Sequence, residues 1–333
     1  MLLVKNAKVY APEALGAMDI LVSGGHIIAL APDIDTSAFP CEVEILDARG
    51  QLALPGLIDS HVHIIGGGGE GGYATRTPEL LLKDCVKAGV STVIGTLGTD
   101  GLARSMESLV AKAYSLRAQG ISVWVYSGSY RIPPQTVTGD VMKDIMMVEP
   151  IIGAGEVAIS DHRSSRPSLD ELGRIASEAR LGGLLSGKAG IVNFHIGDAP
   201  AGLAPLDALV AAGDLPRTQF LPTHCNRNPV VFAQSIEWAN SGGWVDFTTS
   251  TVPRYLEEGE VASSKALRIF RDAGLLSQVT CTSDGQGSLP LFDSAGVLVG
   301  LTMGSCASLW ETVREAILVE GLSIEEAART VTS

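Results

Sequence analysis

Residues 52–98 read LALPGLIDSHVHIIGGGGEGGYATRTPELLLKDCVKAGVSTVIGTLG and contain one unit of a pattern that repeats along the chain. An apolar run comes first, then a stretch with apolar residues three and four positions apart, then a second apolar run. Apolar runs of this length favour buried strands, and the spacing between them favours an amphipathic helix. Strand, helix and strand in this order predict a parallel pair of strands.

The alternation continues downstream of this unit. Eight apolar runs follow residue 51, and they read LALPGLIDSHVH, STVIGTLG, SVWVYSGSY, GEVAIS, GIVNFHIGD, QFLPTHCN, WVDFTTS and QVTCTSDG. Helical candidates between them include residues 76–89, 103–120, 168–185, 228–243 and 263–276. Eight alternations of strand and helix predict an α/β protein with a (β/α)8 TIM-type barrel over residues 51–333. Residues 1–50 carry short alternating runs broken by Gly, Pro and Asn, which predict a small antiparallel β unit.

Composition limits the classes of partner. The 333 residues carry a formal net charge of −13, so binding to nucleic acid or to an anionic membrane surface would oppose the protein's own field. The chain shows neither a secretion signal nor an apolar run long enough for a membrane span, which predicts a cytoplasmic protein. Five cysteines, none in a CxxC pair, are expected to be free thiols, mostly buried.

Metal-ligating side chains stand at the ends of four of these runs. His61 and His63 end the first run, His195 ends the fifth, His224 ends the sixth and Asp284 ends the eighth. Active sites of such barrels lie at the carboxyl ends of the strands, and residues i and i+2 of a strand point the same way. The sequence therefore predicts a metal site with imidazole and carboxylate ligands, which suit Zn²⁺ first and Mn²⁺, Fe²⁺ or Co²⁺ as alternatives.

Other candidates receive a structural interpretation. His26 and His162 are expected to be ordinary core or surface residues, and Cys225 to pack on the face of its strand opposite His224. The glycine run at residues 66–72 has two interpretations. It is either a flexible linker or a segment at the barrel mouth that lets backbone approach a ligand closely.

Seven motifs together resemble the isoaspartyl dipeptidases, or β-aspartyl peptidases, of the amidohydrolase superfamily, and the resemblance spans the whole chain. They are HVHIIGGGGEGG, GTLGTDG, SGSYRIP, AISDHRS, FHIGD, THCNRN and SDGQGS. The resemblance implies two zinc ions with a bridging hydroxide, a β-linked aspartyl dipeptide as substrate, and a small β-sandwich begun by residues 1–50. It carries the metal ligands onto the four histidines and Asp284 named above. It carries the substrate-binding residues onto Glu70, Thr99, Tyr130, Arg163, Arg227 and Ser288.

The chemistry of these residue types suits the implied roles. Asp284 can act as general base towards the hydroxide and then as general acid towards the departing amine. Tyr130 can donate a hydrogen bond to the developing oxyanion, unless its ring only packs at the barrel rim. Arg163 and Arg227 offer forked donors for substrate carboxylates and Glu70 can pair with the substrate ammonium, whereas the alternative for each arginine is a solvated surface position.

The sequence departs from the family at two places. The family's metal-bridging carboxylated lysine is absent from the fourth run, where Glu156 takes its position with one extra residue just before it. Glutamate is shorter by about 3 to 4 Å at ordinary bond lengths, so Glu156 can bridge two metals only if the backbone or the metals shift, a shift that the extra residue could supply. Glu156 is expected to be the bridging ligand, and the alternative is a mononuclear site or a weakened second metal site. The chain also ends at EEAARTVTS, where the family completes its sandwich, so either the sequence is a piece of a longer one or the C-terminal half of the sandwich is absent.

Two other functions stay open. One is a different amidohydrolase activity, on a cyclic amide or an N-acyl amino acid, because the metal site is shared and pocket residues choose the substrate. The other is a non-catalytic barrel scaffold, suggested by the missing lysine and the missing tail. Because a half-sandwich would leave a strand edge unpaired and open to association, we expect a homo-oligomer.

Overall fold

The computed structural model describes residues 1–37, 39–250, 259–292 and 298–333. The amino-terminal strands are β1 (Leu2–Tyr10), β2 (Ala14–Ser23), β3 (His26–Ala31), β4 (Glu44–Asp47) and β5 (Leu52–Ala53). They form one sheet in the order β3-β2-β1-β4, with β5 also paired to β1.

The pairing in this sheet corrects part of the sequence prediction. Strands β1, β2 and β3 are antiparallel as expected, but β4 and β5 both run parallel to β1. The reason is that β4 starts level with Leu2, at the beginning of β1, and runs in the same direction. The described residues place these strands in a single sheet, so the predicted sandwich is not confirmed.

Eight parallel strands follow and confirm the eight apolar runs. They are β6 (Leu57–Val62), β7 (Val90–Gly95), β8 (Ser122–Ser127), β9 (Ile151–Ile159), β10 (Val192–Ile196), β11 (Phe220–Thr223), β12 (Val245–Thr248) and β13 (Val279–Thr282). Strands β6 to β11 pair in chain order, and β12 pairs with β13. The Cys225 amide donates to the Asp246 carbonyl at 3.1 Å, and the His63 amide to the Gly285 carbonyl at 2.9 Å. These bonds connect β11 to β12 and β13 to β6, which closes the barrel.

Helices surround the barrel. They are α1 (Leu82–Ala88), α2 (Met106–Ala118), α3 (Val141–Met147), α4 (Leu169–Ser186), α5 (Ala204–Ala211), α6 (Pro229–Asn240), α7 (Ser263–Asp272), α8 (Ala307–Leu318) and α9 (Ile324–Thr332). The hairpin of β14 (Ser288–Phe292) and β15 (Leu298–Met303) lies between β13 and α8. Side-chain caps define the first turn of several helices. Ser168 and Glu171, for example, form a capping box at the start of α4.

The core lies between the strands and the helices. Strand β10 is buried along its whole length, as expected for a parallel strand covered on both faces. Cys85, Cys225, Cys281 and Cys306 are buried and Cys41 is exposed, and all five are free thiols. Among the described helices, none is long and apolar enough to cross a membrane.

Candidate active site

The two histidines of the HxH pair lie at the carboxyl end of β6. Both side chains are buried, and both Nε2 atoms face acidic groups. His61 Nε2 lies 3.2 Å from Glu156 Oε2, and His63 Nε2 lies 3.1 Å from Asp284 Oδ1. His61 Nδ1 is 3.1 Å from the side-chain oxygen of Asn193, so its other nitrogen is directed into the site.

Glu156 occupies the centre of the cluster. Its Oε1 lies 3.0 Å from His195 Nδ1 and 3.3 Å from His224 Nε2, while its Oε2 faces His61. Burial acts to raise the pKa of Glu156, but the charge of His61 and the hydrogen bonds of His195 and His224 outweigh it and hold that pKa well below its ordinary range. The two carboxylate oxygens thus face different imidazole rings: Oε1 faces those of His195 and His224, and Oε2 faces that of His61.

Strand β9 contains the extra residue expected next to Glu156. Between Ala154 and Val157 it advances three residues while β10 advances two, from Val192 to Phe194. Gly155 has a φ of +139°, and a Cβ at that position would lie 2.7 Å from the Asn193 carbonyl oxygen. Only glycine fits this close approach, and the irregularity alters the path of the backbone that carries Glu156.

Two further ligand candidates adopt an uncommon backbone conformation. His224 has a φ of +63° and Asp284 a φ of +51°, both in the left-handed region that non-glycine residues seldom occupy. The hydroxyl of Thr248, 2.6 Å from His224 Nδ1, leaves Nε2 directed at Glu156. Local strain of this kind is often retained at functional sites.

Asp284 lies between the histidines and the substrate pocket. Its Oδ1 contacts His63, and its Oδ2 accepts a hydrogen bond from Arg227 Nη2 at 2.7 Å. Burial would raise the pKa of Asp284, but the hydrogen bond from His63 and the charge of His224 outweigh it and lower that pKa well below the ordinary range. The carboxylate is therefore held in its charged form.

The buried atoms of this cluster fit a divalent metal. Ligand atoms of His61, His63 and Asp284 lie within 4.8 Å of one another, and so do those of His61, Glu156 and His224. His61 Nε2 and Glu156 Oε2 are buried without a hydrogen-bond partner, although buried polar atoms normally have one. Burial acts to lower the pKa of His61, yet Glu156 raises it to about 9. An anionic set of nitrogen and oxygen ligands of this kind suits a cation.

The predicted substrate-binding side chains line one cavity beside this cluster. Glu70 Oε1 accepts a hydrogen bond from Thr99 Oγ1 at 2.8 Å, and its Oε2 accepts one from Ser288 Oγ at 3.1 Å. Arg163 Nη1 lies 3.6 Å from the same carboxylate. The cavity lining includes Glu70, Thr99, Tyr130, Arg163, Arg227 and Ser288 together with His63 and Asp284. Its free volume is about 30 Å³, so a dipeptide would have to displace contacts such as that between Arg163 and Glu70.

Tyr130 is buried against His195 rather than at a solvated rim. Its hydroxyl is 2.8 Å from His195 Nδ1, and the Arg163 guanidinium lies over its ring at 5.4 Å. Burial, followed by the charge of Glu156, raises the pKa of Tyr130 well above its ordinary value. The phenol therefore keeps its proton and remains a hydrogen-bond donor.

A larger cavity of about 690 Å³ lies beside this site, between the segments that follow β9 and β10. Asp161 belongs to its lining, but the histidines at the strand ends, Glu156 and Asp284 do not. Size alone would favour this cavity. We place the chemistry in the smaller one because the ligand groups and the charged side chains converge there.

Several residues of the site were not predicted from the sequence. Asp161 Oδ2 lies 2.8 Å from His195 Nε2, and the same carboxylate accepts two hydrogen bonds from the Arg163 guanidinium. Its place in the SDHRS motif, two residues before Arg163, was the available signal. Asn193 lies two residues before His195 on β10 and therefore points to the same side of the strand, which could have indicated that it belongs to the site. His26 and His162 are exposed, as expected of residues outside the site.

The chain is similar to known proteins in sequence and in fold. No protein-family model matches the chain. A β-aspartyl dipeptidase from Fervidobacterium islandicum AW-1, solved with β-Asp-Leu dipeptide, is 46% identical; the match covers 98% of this chain and 84% of that one, at a TM-score of 0.89. A dihydroorotase from Staphylococcus aureus is 36% identical over 111 residues, which are 33% of this chain but only 25% of that enzyme.

A more distant neighbour supports the fold alone. It is enamidase, a member of the amidohydrolase superfamily, at 17% identity and a TM-score of 0.65 over 99% of this chain and 80% of that one.

The match to the β-aspartyl dipeptidase covers nearly the whole chain at 46% identity, and it confirms the resemblance indicated by the seven motifs. The chain belongs to the β-aspartyl dipeptidase family of amidohydrolases.

Proposed function

We propose that this protein hydrolyses the amide bond of β-aspartyl dipeptides with the help of two divalent ions, most simply Zn²⁺. The observation that carries the proposal is the convergence of Glu70, Arg163 and Arg227 on one cavity that also contains His63 and Asp284. A dipeptide with a free aspartyl carboxylate has one ammonium and two carboxylate groups. One carboxylate and two guanidinium groups are the complementary set of charges.

Recognition divides among these side chains. Glu70, held by the hydroxyls of Thr99 and Ser288, pairs with the ammonium group of the substrate. Arg163 and Arg227 bind the substrate carboxylates through their forked donors. Because the cavity reads charges at fixed distances from the scissile bond, we expect an α-linked isomer to bind in the wrong register.

The metal ligands in this proposal are His61, His63, Glu156, His195, His224 and Asp284, with Glu156 facing both halves of the site. When bound, divalent ions lower the pKa of a coordinated water and polarise the scissile carbonyl. Asp284 takes up the proton of the attacking water and returns it to the departing amine, so that it serves first as base and then as acid. Tyr130 donates its hydroxyl proton in a hydrogen bond to the carbonyl oxygen as negative charge develops there.

The test compares β-Asp-Leu with α-Asp-Leu as substrates of the purified protein. We expect leucine release from the β-linked isomer only, metal by elemental analysis after growth with zinc, and loss of activity on chelation that added zinc restores. Equal rates on the two isomers would contradict the specificity, and protein free of metal after growth with zinc would contradict the mechanism.

A second candidate is hydrolysis of a cyclic amide, which the 111-residue match to a dihydroorotase favours. That match covers a quarter of the dihydroorotase, whereas the match to the β-aspartyl dipeptidase covers most of both chains. Dihydroorotate is therefore the comparison substrate, and turnover of dihydroorotate but not of β-Asp-Leu would favour this second function. Metal binding without turnover of either substrate would favour the third alternative, a non-catalytic barrel scaffold.

A further inference from the structure

Arg104 precedes the N-cap of α2 and is buried, with only 6% of its surface exposed. Its guanidinium group has five N–H donors, and the structure provides five acceptors for them. The acceptors are the carbonyl oxygens of Ile65 (3.2 Å), Gly67 (2.7 Å), Gly68 (3.3 Å) and Thr77 (3.5 Å), and Asp100 Oδ2 (3.3 Å). Two of them, Gly67 and Gly68, belong to the glycine run that leads to Glu70, and Ile65 directly precedes it.

This glycine run is a shaped segment, not a flexible linker. Gly66 has a φ of +80°, and a Cβ there would lie 2.3 Å from the carbonyl oxygen of Thr77. The Gly67 amide donates to Thr77 Oγ1 at 2.6 Å, and the Thr77 amide donates to the Gly67 carbonyl at 3.0 Å. The carbonyl groups that Arg104 binds are therefore part of one folded loop, and that loop contains Glu70.

Arg104 also contacts the other segment that supports Glu70. Asp100 Oδ1 accepts the backbone amides of Leu102 and Ala103, and Asp100 Oδ2 is paired with Arg76 as well as Arg104. Thr99, the residue before Asp100, donates its hydroxyl to Glu70. One guanidinium group thus ties the backbone before Glu70 to the segment whose threonine holds the Glu70 carboxylate.

We propose that Arg104 is a positioning residue that fixes Glu70 for recognition of the substrate ammonium group. The inference rests on the proposed function and extends it to a residue outside the cavity. Lysine would not substitute fully, because an ammonium group has three donors on a point charge instead of five in a planar fork. Loss of the fork leaves several buried carbonyl oxygens without a donor, and the loop that carries Glu70 should relax.

The experiment uses two substrates that differ only in the ammonium group, β-Asp-Leu and N-succinyl-leucine. Kinetic constants are measured for the zinc-loaded wild type, Arg104→Met, Arg104→Lys, Glu70→Gln and the double variant Glu70→Gln with Arg104→Met. Arg117→Met is the matched control. Arg117 is a partly buried arginine in the last turn of α2 that also donates to a backbone carbonyl, but it does not contact the loop. Hydrogen exchange of residues 64–76 is measured on the same proteins.

We expect Arg104→Met to lower the preference for β-Asp-Leu over N-succinyl-leucine about tenfold, mainly through KM, as loss of a charge-assisted contact does. The double variant should show no further loss of preference beyond Glu70→Gln. Exchange of residues 64–76 should be faster in Arg104→Met and unchanged in Arg117→Met. Arg104→Lys should show a smaller change of the same kind, and it serves as the test if Arg104→Met does not fold.

Other results would overturn the inference. An unchanged preference in folded Arg104→Met and Arg104→Lys, or an equal loss on both substrates, would show that Arg104 does not act through Glu70. A wild-type enzyme that hydrolyses β-Asp-Leu with no preference over N-succinyl-leucine would remove the premise that Glu70 reads the ammonium. Failure of the wild type on both substrates would instead refute the proposed function, and the role of Arg104 with it.

Discussion

Asp161 and His195 are joined by a buried contact of 2.8 Å between Asp161 Oδ2 and His195 Nε2. The same oxygen accepts a hydrogen bond from Arg163 Nη2 at 2.7 Å, so one carboxylate connects a proposed metal ligand to a proposed substrate-binding arginine. If His195 Nε2 carries the proton and donates it to Asp161, the lone pair of Nδ1 lies on the side of Glu156 and the proposed metal site, where the Tyr130 hydroxyl is 2.8 Å away. A carboxylate partner of this kind orients the imidazole ring of a metal ligand and fixes its tautomer.

We expect Asp161→Asn to weaken zinc binding by about 10- to 100-fold, because the amide lacks the charge that holds the His195 tautomer. Zinc affinity is measured by competition with a chromophoric chelator, which requires no turnover. Asp198→Asn, at an exposed residue of the next strand-to-helix segment, is the control and should bind zinc as the wild type does. Equal zinc affinity in Asp161→Asn and the wild type would show that His195 needs no such partner.

Arg227→Lys should lower kcat/KM for β-Asp-Leu by about 10- to 100-fold, which is more than a conserved charge suggests. The half-buried guanidinium donates to Asp284 Oδ2 while it also lines the cavity, and the lysine ammonium cannot reproduce that planar fork. Arg217→Lys is the control, since Arg217 stacks on Trp238 and pairs with Asp207 away from the cavity. A loss of less than twofold at Arg227 would exclude the forked contact.

The barrel and its strand ends could be predicted from the sequence because the signal is local. Each run is apolar along its length and ends in polar residues, so the run alone indicates where the strand stops and which side chains reach the mouth. The pairing of β4 with β1 could not be predicted in the same way. Residues 44–47 indicate a strand, but its parallel orientation depends on its pairing with Leu2–Lys5, which lie about 40 positions earlier in the chain.

The same distinction between local and long-range signals applies to the residues of the site. Histidines at strand ends carry their own signal, and the extra residue before Glu156 was visible against the family pattern. The role of Arg104 was not visible, because four of its five acceptors are backbone carbonyl groups that any sequence possesses. The contact between Asp161 and His195 joins residues 34 positions apart, and only the folded barrel brings them together.

The contribution of Asp246 to the stability of the protein should fall as the pH rises from about 4 to about 6.5. Burial raises the pKa of this carboxyl group to about 6 from 3.8, against the lowering by the hydroxyls of Thr223 and Thr282. The folded state therefore binds the proton more tightly than the unfolded state. Below pH 4 this tighter binding adds about 3 kcal/mol to the free energy of unfolding, and the contribution is lost as the pH rises through 6.

Asp246→Asn removes this titration while keeping the shape of the side chain. Urea unfolding of both metal-free proteins between pH 4 and 6.5 should show the wild type losing stability relative to the variant as the pH rises. A difference between them that stays constant with pH would show that Asp246 does not titrate in this range.

The position of Glu156 leads to the last prediction. Its carboxylate oxygens already lie 3.0 to 3.3 Å from nitrogens of His61, His195 and His224, on a strand whose register is shifted by one residue just before it. Carboxylated lysine is longer by about 3 to 4 Å, and no such length is free between the strand and these imidazoles. We therefore expect Glu156→Lys to lose metal and activity, and added bicarbonate not to restore either of them.

Glu156→Gln keeps the size and removes the charge that offsets the cations, so it should also lose metal occupancy and most of its turnover. Wild-type activity should not depend on bicarbonate, because the bridging anion is already part of the side chain. Elemental analysis of the wild type and both variants, after a check of folding by circular dichroism, measures the first effect. Full metal content in Glu156→Gln would show that Glu156 is not a ligand. Recovery of Glu156→Lys in bicarbonate would show that the shifted register does not decide which anion bridges the site.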